Sequence, residues 1–520
     1  MILQNEQKPL RLAAIDMGTN SFHMVIVEVL PDLGFLIIDR AKDMIRIGES
    51  SITTKQLSPK AMEQGIQSLI TFRKLAEQRG VNSVHIIAFA TSAIREAQNG
   101  AAYMKQIADT VGIKTRIISG EEEARLIYLG VRNAIDIGSK KAFIFDIGGG
   151  SVEFITGDGR RPNMLESRKL GVARMYERFV TTDPIELKER HLLEQYFNVE
   201  LEDIAKFVNK VGFDIAIASS GTIENIARMI FLQNGMRTDK LNGQSFSVKD
   251  FKRLAKQVIG MKSAARREIP GLDPKRVDLI IPGLLLVCKI TRMFNIKDIV
   301  VSESALREGM IIDYLSTHFS DYRKTHYFPN IRRRSVIELG RRFQWDKAHA
   351  SHVALLATKL FKKLQELHKL GDSEQELLEY AALLHNVGCF ISMSKHHKHS
   401  HYVIMNGGLR GFHPNEIEII ANAVRYHRKS PPSEGHENFK KLSSKEQQIV
   451  RHLSEILRVA NSLDRGHRQN VTNLDVEITA KKILLKLETH IDSEIEVWSV
   501  EREENYFEEL FQRKLEVSIL

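Results

Sequence analysis

Asp16, Gly18 and Ser21 follow the apolar run at 11–15, and Asp146, Gly148 and Ser151 follow the apolar run at 142–145 with the same spacing. An acid at the end of a strand, followed by a turn of small residues, brings backbone N–H groups close to a ligand. Successive amides in such a turn make a nest for anionic oxygen. Thr19, Asn20 and Ser21 would form one nest, and Gly148, Gly149, Gly150 and Ser151 the other. Two units of one design predict pseudo-symmetric halves whose turns face each other across a cleft and clasp phosphate from both sides. A third such turn is expected at 218–222, where an apolar strand passes through Ser220, Gly221 and Thr222 into a helix.

Phosphoryl transfer to water needs neutralised phosphoryl oxygens, a positioned water and a base within reach of it. The acid-rich helix start Glu121, Glu122, Glu123 after IISG offers a base, although acids in a first helical turn also complement the helix dipole. Asp16, Asp146 and Glu153 are natural ligands for a hard cation such as Mg2+, with Mn2+ an alternative, because Mg2+ takes few carboxylates plus waters and phosphate oxygens. The same aspartates could instead cap their turns.

These residues need a scaffold. Strand-like and helical stretches alternate from 11 to about 316, which indicates α/β, and the period becomes almost wholly helical afterwards. A basic, proline-containing link is expected at 323–335, and a small β-α-β cap after 473. The chain of 520 residues is too long for one core. Its two cysteines give no disulfide framework and no cysteine-based zinc site. The N-terminal stretch does not read as a signal peptide and no apolar run reaches the roughly 20 residues of a membrane span, so a cytoplasmic protein is expected. A net charge of +10 predicts attraction to polyanions, but an aromatic content of 7% without interleaved basic strands argues against a specific nucleic-acid partner.

The stretches AAIDMGTNSFHMVI (13–26), AFATSAIREAQNG (88–100), IISGEEEARLIYLGV (117–131), IFDIGGGSVEFI (144–155), ESRKLGVAR (166–174), ASSGTIENIA (218–227), IIPGLLLV (280–287) and SESALREGM (302–310) together resemble the exopolyphosphatase and guanosine pentaphosphate phosphohydrolase family. That family belongs to the superfamily of actin, sugar kinases and heat-shock chaperones. The resemblance implies two ribonuclease-H-like, actin-like ATPase lobes, at 1–132 and 133–316, then a helical HD-like domain at 317–472 and a small α+β cap at 473–520. It implies metal-dependent hydrolysis of a terminal phosphoanhydride, in inorganic polyphosphate or in guanosine pentaphosphate, by a homodimer. The family's catalytic glutamate falls on Glu123, with Glu122 the close alternative, and its substrate arginine on Arg95. Arg307 and Glu308 are expected to form a structural pair.

In the helical half, His352, His385, His427 and Asp464 suggest an HD-type metal site, but the His-Asp doublet reads His385-Asn386. Replacing a carboxylate with an amide removes charge from any metal pair, so a scaffold without its metal is expected. The basic residues Arg332, Arg333, Arg334, His399, His401, Arg425, His427 and Arg428 are expected to form a positive track for a long polyanion, with KHHKHSH (395–401) as a basic loop.

Overall fold

In the computed structural model, residues 9–30, 34–49, 51–236, 240–319 and 330–520 are described, and the chain divides into two compact units, Met1–Pro329 and Asn330–Leu520. Most of the link expected at 323–335 lies outside the described residues.

The first unit carries two sheets. Strands β1 (Arg11–Met17), β2 (Phe22–Val29), β3 (Phe35–Asp43), β4 (Ile86–Ala90) and β5 (Thr115–Ile117) form one, in the order β3-β2-β1-β4-β5. Strands β6 (Ala142–Ile147), β7 (Val152–Gly157), β8 (Pro162–Arg168), β9 (Ile215–Ser219), β10 (Ser245–Ser247) and β11 (Asp298–Ser302) form the other, in the order β10-β11-β9-β6-β7-β8. In each, an antiparallel meander of three strands is extended by parallel strands that follow helices, β1 with β4 and β6 with β9. The repeat in the sequence is therefore a repeat of topology.

Strand β1 is buried from Leu12 to Ile15, and β6 and β7 are buried throughout, so both faces of these central strands must be covered. Helices α1 (Pro59–Gln78), α2 (Ser92–Glu96) and α3 (Gly100–Val111) serve the first sheet, and α1 and α3 share a core with Ala13, Ile15 and Met24. Helix α4 (Gly120–Arg132) begins at the Ser119 N-cap, whose hydroxyl accepts from the Glu122 N–H. Helices α5 (Val172–Phe179), α6 (Leu187–Val211), α7 (Gly221–Gln233), α8 (Val248–Ile259) and α9 (Ile280–Met293) belong to the second sheet. Helix α10 (Leu306–His318) closes the unit.

Between the sheets lies a shared core built from α4 and α10, with Leu12, Ala14 and Val25 from one sheet and Ile144, Ile155 and Ile217 from the other. Helix α10 thus returns to β1 and α4. Glycines allow the two central helices to touch: a Cβ at Gly130 would collide with the Ala305 carbonyl oxygen, and one at Gly309 with that of Leu126.

The second unit contains α11 (Ile331–Arg342), α12 (Lys347–Lys363), α13 (Asp372–Leu384), α14 (His396–Asn406), α15 (Pro414–Arg425) and α16 (Ser444–Ser462), then β12 (Val471–Ile478), β13 (Lys482–Thr489), α17 (Glu494–Glu501), α18 (Glu504–Phe511) and β14 (Lys514–Ile519). The end segment is β-β-α-α-β, with β13 and β14 parallel, not the expected β-α-β. Its Leu474, Leu485, Val500 and Phe507 share one core with Leu356, Leu384, Val424 and Leu457, so helices and terminal sheet form a single body.

The backbone contact of α4 with α10 predicts that Gly309→Ala costs about 2 kcal/mol or more of unfolding free energy, through overpacking against a carbonyl that cannot move aside. Gly260→Ala, with no atom within 4 Å of the added carbon, stays within about 0.5 kcal/mol. Denaturant titration of the purified variants measures both.

Candidate active site

The two hairpins match residue for residue. Asp16 lies opposite His23 and Met17 opposite Phe22, while Asp146 lies opposite Glu153 and Ile147 opposite Val152. Residues directly opposite on antiparallel strands share a face, which puts Asp146 and Glu153 side by side. The connecting turns meet. A Cβ on Gly149 would sit 3.3 Å from the Thr19 Cβ, and one on Gly150 would collide with Thr19 and lie 2.7 Å from the Ser92 hydroxyl. Gly148, Gly149 and Gly150 are absent from the positive-φ residues, so close approach, not backbone freedom, is what requires glycine here.

Hydrogen bonds from behind set the direction of the turns' amides. The carbonyls of Gly148 and Gly149 accept from the N–H groups of Val172 (3.0 Å) and Ala173 (2.9 Å) at the start of α5. The Gly150 carbonyl accepts from the Arg174 Nε at 2.8 Å. In a trans peptide the carbonyl and the next N–H point opposite ways, so the amides of Gly149, Gly150 and Ser151 are turned away from α5. In the first lobe, the carbonyls of Thr19 and Asn20 accept from Gly48 and Arg46 at 2.9 Å each, which turns the Asn20 and Ser21 amides away from that segment. The buried Arg174 also bridges the lobes, donating from Nη2 to Glu96 (2.7 Å) and Ser92 (3.2 Å) of α2. This network holds the two nests facing one another.

Between them lies a cavity of about 390 Å³, lined by Asp16, Thr19, Asn20, Ser21, Glu123, Asp146, Gly148–Ser151, Glu153, Ser220 and Gly221. Thr222 is buried in the first turn of α7, outside that lining. Ser220 has φ of 104°, a region nearly closed to L-residues, and its hydroxyl accepts from the Thr222 N–H. Such strain is held in place by the surrounding structure and clusters at functional sites.

The first turn of α4 separates its three acids. Glu121 is exposed. Glu122 points out of the cavity and accepts from Arg125 Nε at 2.7 Å and Nη2 at 3.0 Å; these bonds hold its carboxyl below the usual range. Glu123 is buried and faces the cavity, accepting from Arg95 Nη1 at 3.0 Å. Burial raises its pKa to about 7, with Arg95 opposing and Asp146 reinforcing. Of these two glutamates, Glu123 lines the cavity and Glu122 does not. Arg95 lies beside Glu123 and also donates to the Ile118 carbonyl.

The remaining carboxylates repel one another. Burial, then the charge of Glu123, raises Asp16 to about 7; burial raises Asp146 to about 6 against the Ser219 hydroxyl and Arg307. Glu153 is pushed well above its ordinary value by burial and by Glu123 and Asp146. Asp16 Oδ1 is buried without a hydrogen-bond partner. An all-oxygen donor set with an orphaned buried oxygen fits a hard divalent cation. Among the described residues, however, no group of three or more His, Cys, Asp or Glu side chains is arranged to hold a metal by itself. The expected set Asp16, Asp146, Glu153 is therefore not a preformed three-carboxylate cage, and solvent or substrate oxygens would have to complete it.

The cavity also brings in residues that the sequence reading did not assign: His23, Arg40, Lys42, Glu224, Arg276, Glu303 and Arg307. Arg307 was expected to pair with Glu308. Instead it donates to His23 Nδ1 at 3.2 Å, while the buried Glu308 accepts from the Ala305 N–H and lies 4.0 Å from Arg40. Position next to Glu308 in sequence was misleading because consecutive helical residues point in different directions. His23, two residues beyond Ser21, was within reach of a reading of the hairpin alone.

The second unit departs from expectation in several places. His349, not His352, joins the histidine cluster: its Nδ1 lies 2.8 Å from Asp464 and its Nε2 3.1 Å from His385 Nε2. His352 is one helical turn away on α12, and the side-chain oxygen of Asn386 is buried without a partner. The expected basic loop is the start of helix α14, with His396 and His397 buried. The expected positive track is largely neutralised or enclosed. Arg332 pairs with Glu376 (3.2 Å) and Glu416 (2.9 Å), Arg333 with Glu379, and Arg334 with Glu338 (3.6 Å). His427 is buried and bonded to the Val424 carbonyl. His399, His401, Arg425 and Arg428 are partly exposed, and Arg428 is engaged with His396 at 3.2 Å.

The profile of the Ppx/GppA phosphatase family matches residues 25–318, and that of Ppx/GppA phosphatase domain III matches 331–509. The chain is 30% identical over 421 residues to a guanosine-5'-triphosphate,3'-diphosphate pyrophosphatase of Photobacterium profundum, covering 79% of each chain. Among solved structures it is similar to an exopolyphosphatase from Cytophaga hutchinsonii, with a TM-score of 0.56 and 30% identity over 59% of this chain and 98% of that one. A Ppx/GppA family member from Aquifex aeolicus gives a TM-score of 0.52 at 25% identity, over 60% and 99% of the respective chains. Facing turns with their amides directed away from the packed segments, a buried glutamate lining the cavity and these matches lead to one assignment: the chain belongs to the Ppx/GppA phosphatase family.

Proposed function

We propose that the protein is an exopolyphosphatase, hydrolysing the terminal phosphoanhydride of linear inorganic polyphosphate and releasing orthophosphate. The observation that carries this reading is the buried Glu123 carboxylate facing a cavity walled by two opposed anion nests. Amides of Gly149, Gly150 and Ser151 on one side and of Asn20 and Ser21 on the other bind the end phosphate, and Arg95 holds Glu123 in place. Glu123 takes a proton from the attacking water as its oxygen bonds to the terminal phosphorus, and the bridging oxygen leaves with the shortened chain. A divalent cation, magnesium in this reading, held by Asp16, Asp146 and Glu153 with phosphate oxygens, would neutralise charge on the transferring group.

Polyphosphate is favoured because no Phe, Tyr or Trp lines the cavity to stack a purine, among the described residues, and because the similar Cytophaga hutchinsonii structure bears the exopolyphosphatase name. The Photobacterium profundum relative is named for a guanosine pentaphosphate that ends in the same phosphoanhydride, so the decisive assay uses both substrates. No helix of the described residues is long and apolar enough to cross a membrane; cytoplasmic residence rests on composition, and a homodimer on the family resemblance.

Phosphate release measured with magnesium should give a higher kcat/KM on long polyphosphate than on guanosine pentaphosphate. Glu123→Gln should lose at least about 100-fold in kcat, the scale of one general base, while Glu122→Gln should stay within about threefold. Equal losses from both glutamates would remove the base assignment, and a preference for the nucleotide would replace the substrate.

The Glu123 pKa of about 7 sets a pH dependence. The base works only when ionised, so kcat/KM should fall as pH drops through about 7 and level off above it. Arg95 favours the charged form, so Arg95→Gln should move this limb to higher pH. A pH-rate profile of both proteins measures the displacement.

A further inference from the structure

Ser21, His23 and Arg307 form a hydrogen-bonded line along the cavity wall. Ser21 Oγ lies 2.6 Å from His23 Nε2, and Arg307 Nη1 lies 3.2 Å from His23 Nδ1. A guanidinium has donors and no acceptor. His23 Nδ1 must therefore accept, which leaves a neutral ring with its proton on Nε2. That proton is donated to Ser21 Oγ, because a Ser21 hydrogen aimed at the protonated Nε2 would set two donors against each other. With one lone pair of Ser21 occupied by a donor, its own hydrogen points elsewhere, and Ser21 lines the cavity between the two nests.

We infer that His23 is a positioning residue that transmits the polarity of Arg307 to Ser21, so that the Ser21 hydroxyl is presented to the bound group as a hydrogen-bond donor. Ionised phosphoryl oxygens only accept, so this orientation favours a fully ionised phosphate end and disfavours a group that presents hydrogen at that point. The three residues come from the first turn, the start of β2 and the first turn of α10. Closing of α10 onto the first sheet thus fixes the direction of one hydroxyl. The inference rests on the proposed hydrolysis of a terminal phosphate for its catalytic consequence, though not for the direction of the hydrogen bonds.

Two near-isosteric replacements separate the alternatives. His23→Gln can keep the same order, accepting from Arg307 through Oε1 and donating to Ser21 through Nε2. His23→Glu offers acceptors only, so Ser21 would donate to it and turn its hydrogen from the cavity. Phosphate release from long polyphosphate is measured for wild type, Ser21→Ala, His23→Gln, His23→Glu and the double variant Ser21→Ala/His23→Glu, with thermal unfolding to verify folding. His23→Glu should lose about tenfold more kcat/KM than His23→Gln, the scale of one hydrogen bond to a charged group. Adding His23→Glu to Ser21→Ala should cost little more, because the orientation no longer matters. Equal losses in Gln and Glu variants, or a full His23→Glu loss in the Ser21→Ala background, would overturn the inference and leave a charge or packing effect.

A second measurement does not depend on turnover. Nitrogen-15 histidine NMR of the full chain, with the His23 signal identified by its loss in His23→Gln, should show a neutral ring protonated at Nε2. An imidazolium, or a proton on Nδ1, would contradict the inference. A wild type that releases no phosphate would instead sink the proposed function while leaving this tautomer to be read directly.

Discussion

A peptide group can present its N–H to a ligand in a fixed direction only if its partner carbonyl is held on the other side. In this protein that constraint is met twice. The start of α5 and the Arg174 guanidinium take the carbonyls of Gly148–Gly150, and the segment Arg46–Gly48 takes those of Thr19 and Asn20. Free turns of this size would sample many conformations and would have to be ordered by the ligand. Here the ordering is done by folding, so the amides stand ready for an anionic ligand. Arg174 adds a link across the lobes through Glu96, which couples the shape of one nest to the position of the other.

Such a pair of nests also explains the acids. Glu123, Asp16, Asp146 and Glu153 are all raised by burial, and each also by a neighbouring carboxylate, Glu224 in the case of Asp146, so the cavity resists holding its full negative charge. A divalent cation would relieve that repulsion and offset the added charge of an anionic ligand. Glu123 differs from its neighbours in facing Arg95, a single ion pair that resists protonation without removing the carboxylate from the cavity. Glu122 makes stronger ion-pair contacts but outside the cavity, so its low proton affinity is of no use to a substrate.

Much of this was legible in the sequence because it is local. Two hairpins with the same acid, glycine and hydroxyl spacing predicted the opposed turns, and the acids after IISG pointed to the helix start whose Glu123 faces the cavity. The missing parts depend on residues far apart. Arg307 reaches the cavity only because α10 returns to β1, and no local spacing shows that. His349 and His352 lie on one face of the same helix, so periodicity could not choose between them. The basic residues at 332–334 were visible as charge, whereas their partners Glu376, Glu379 and Glu416 were not, and pairing converts an expected anion track into part of the fold.

The most direct measurement is a crystal structure of the Glu123→Gln variant grown with long polyphosphate and magnesium. The terminal phosphate should lie between the two turns, with its oxygens within hydrogen-bonding distance of the amides of Asn20, Ser21, Gly149, Gly150 and Ser151. A polyphosphate end bound elsewhere, with those amides turned to water, would contradict the account.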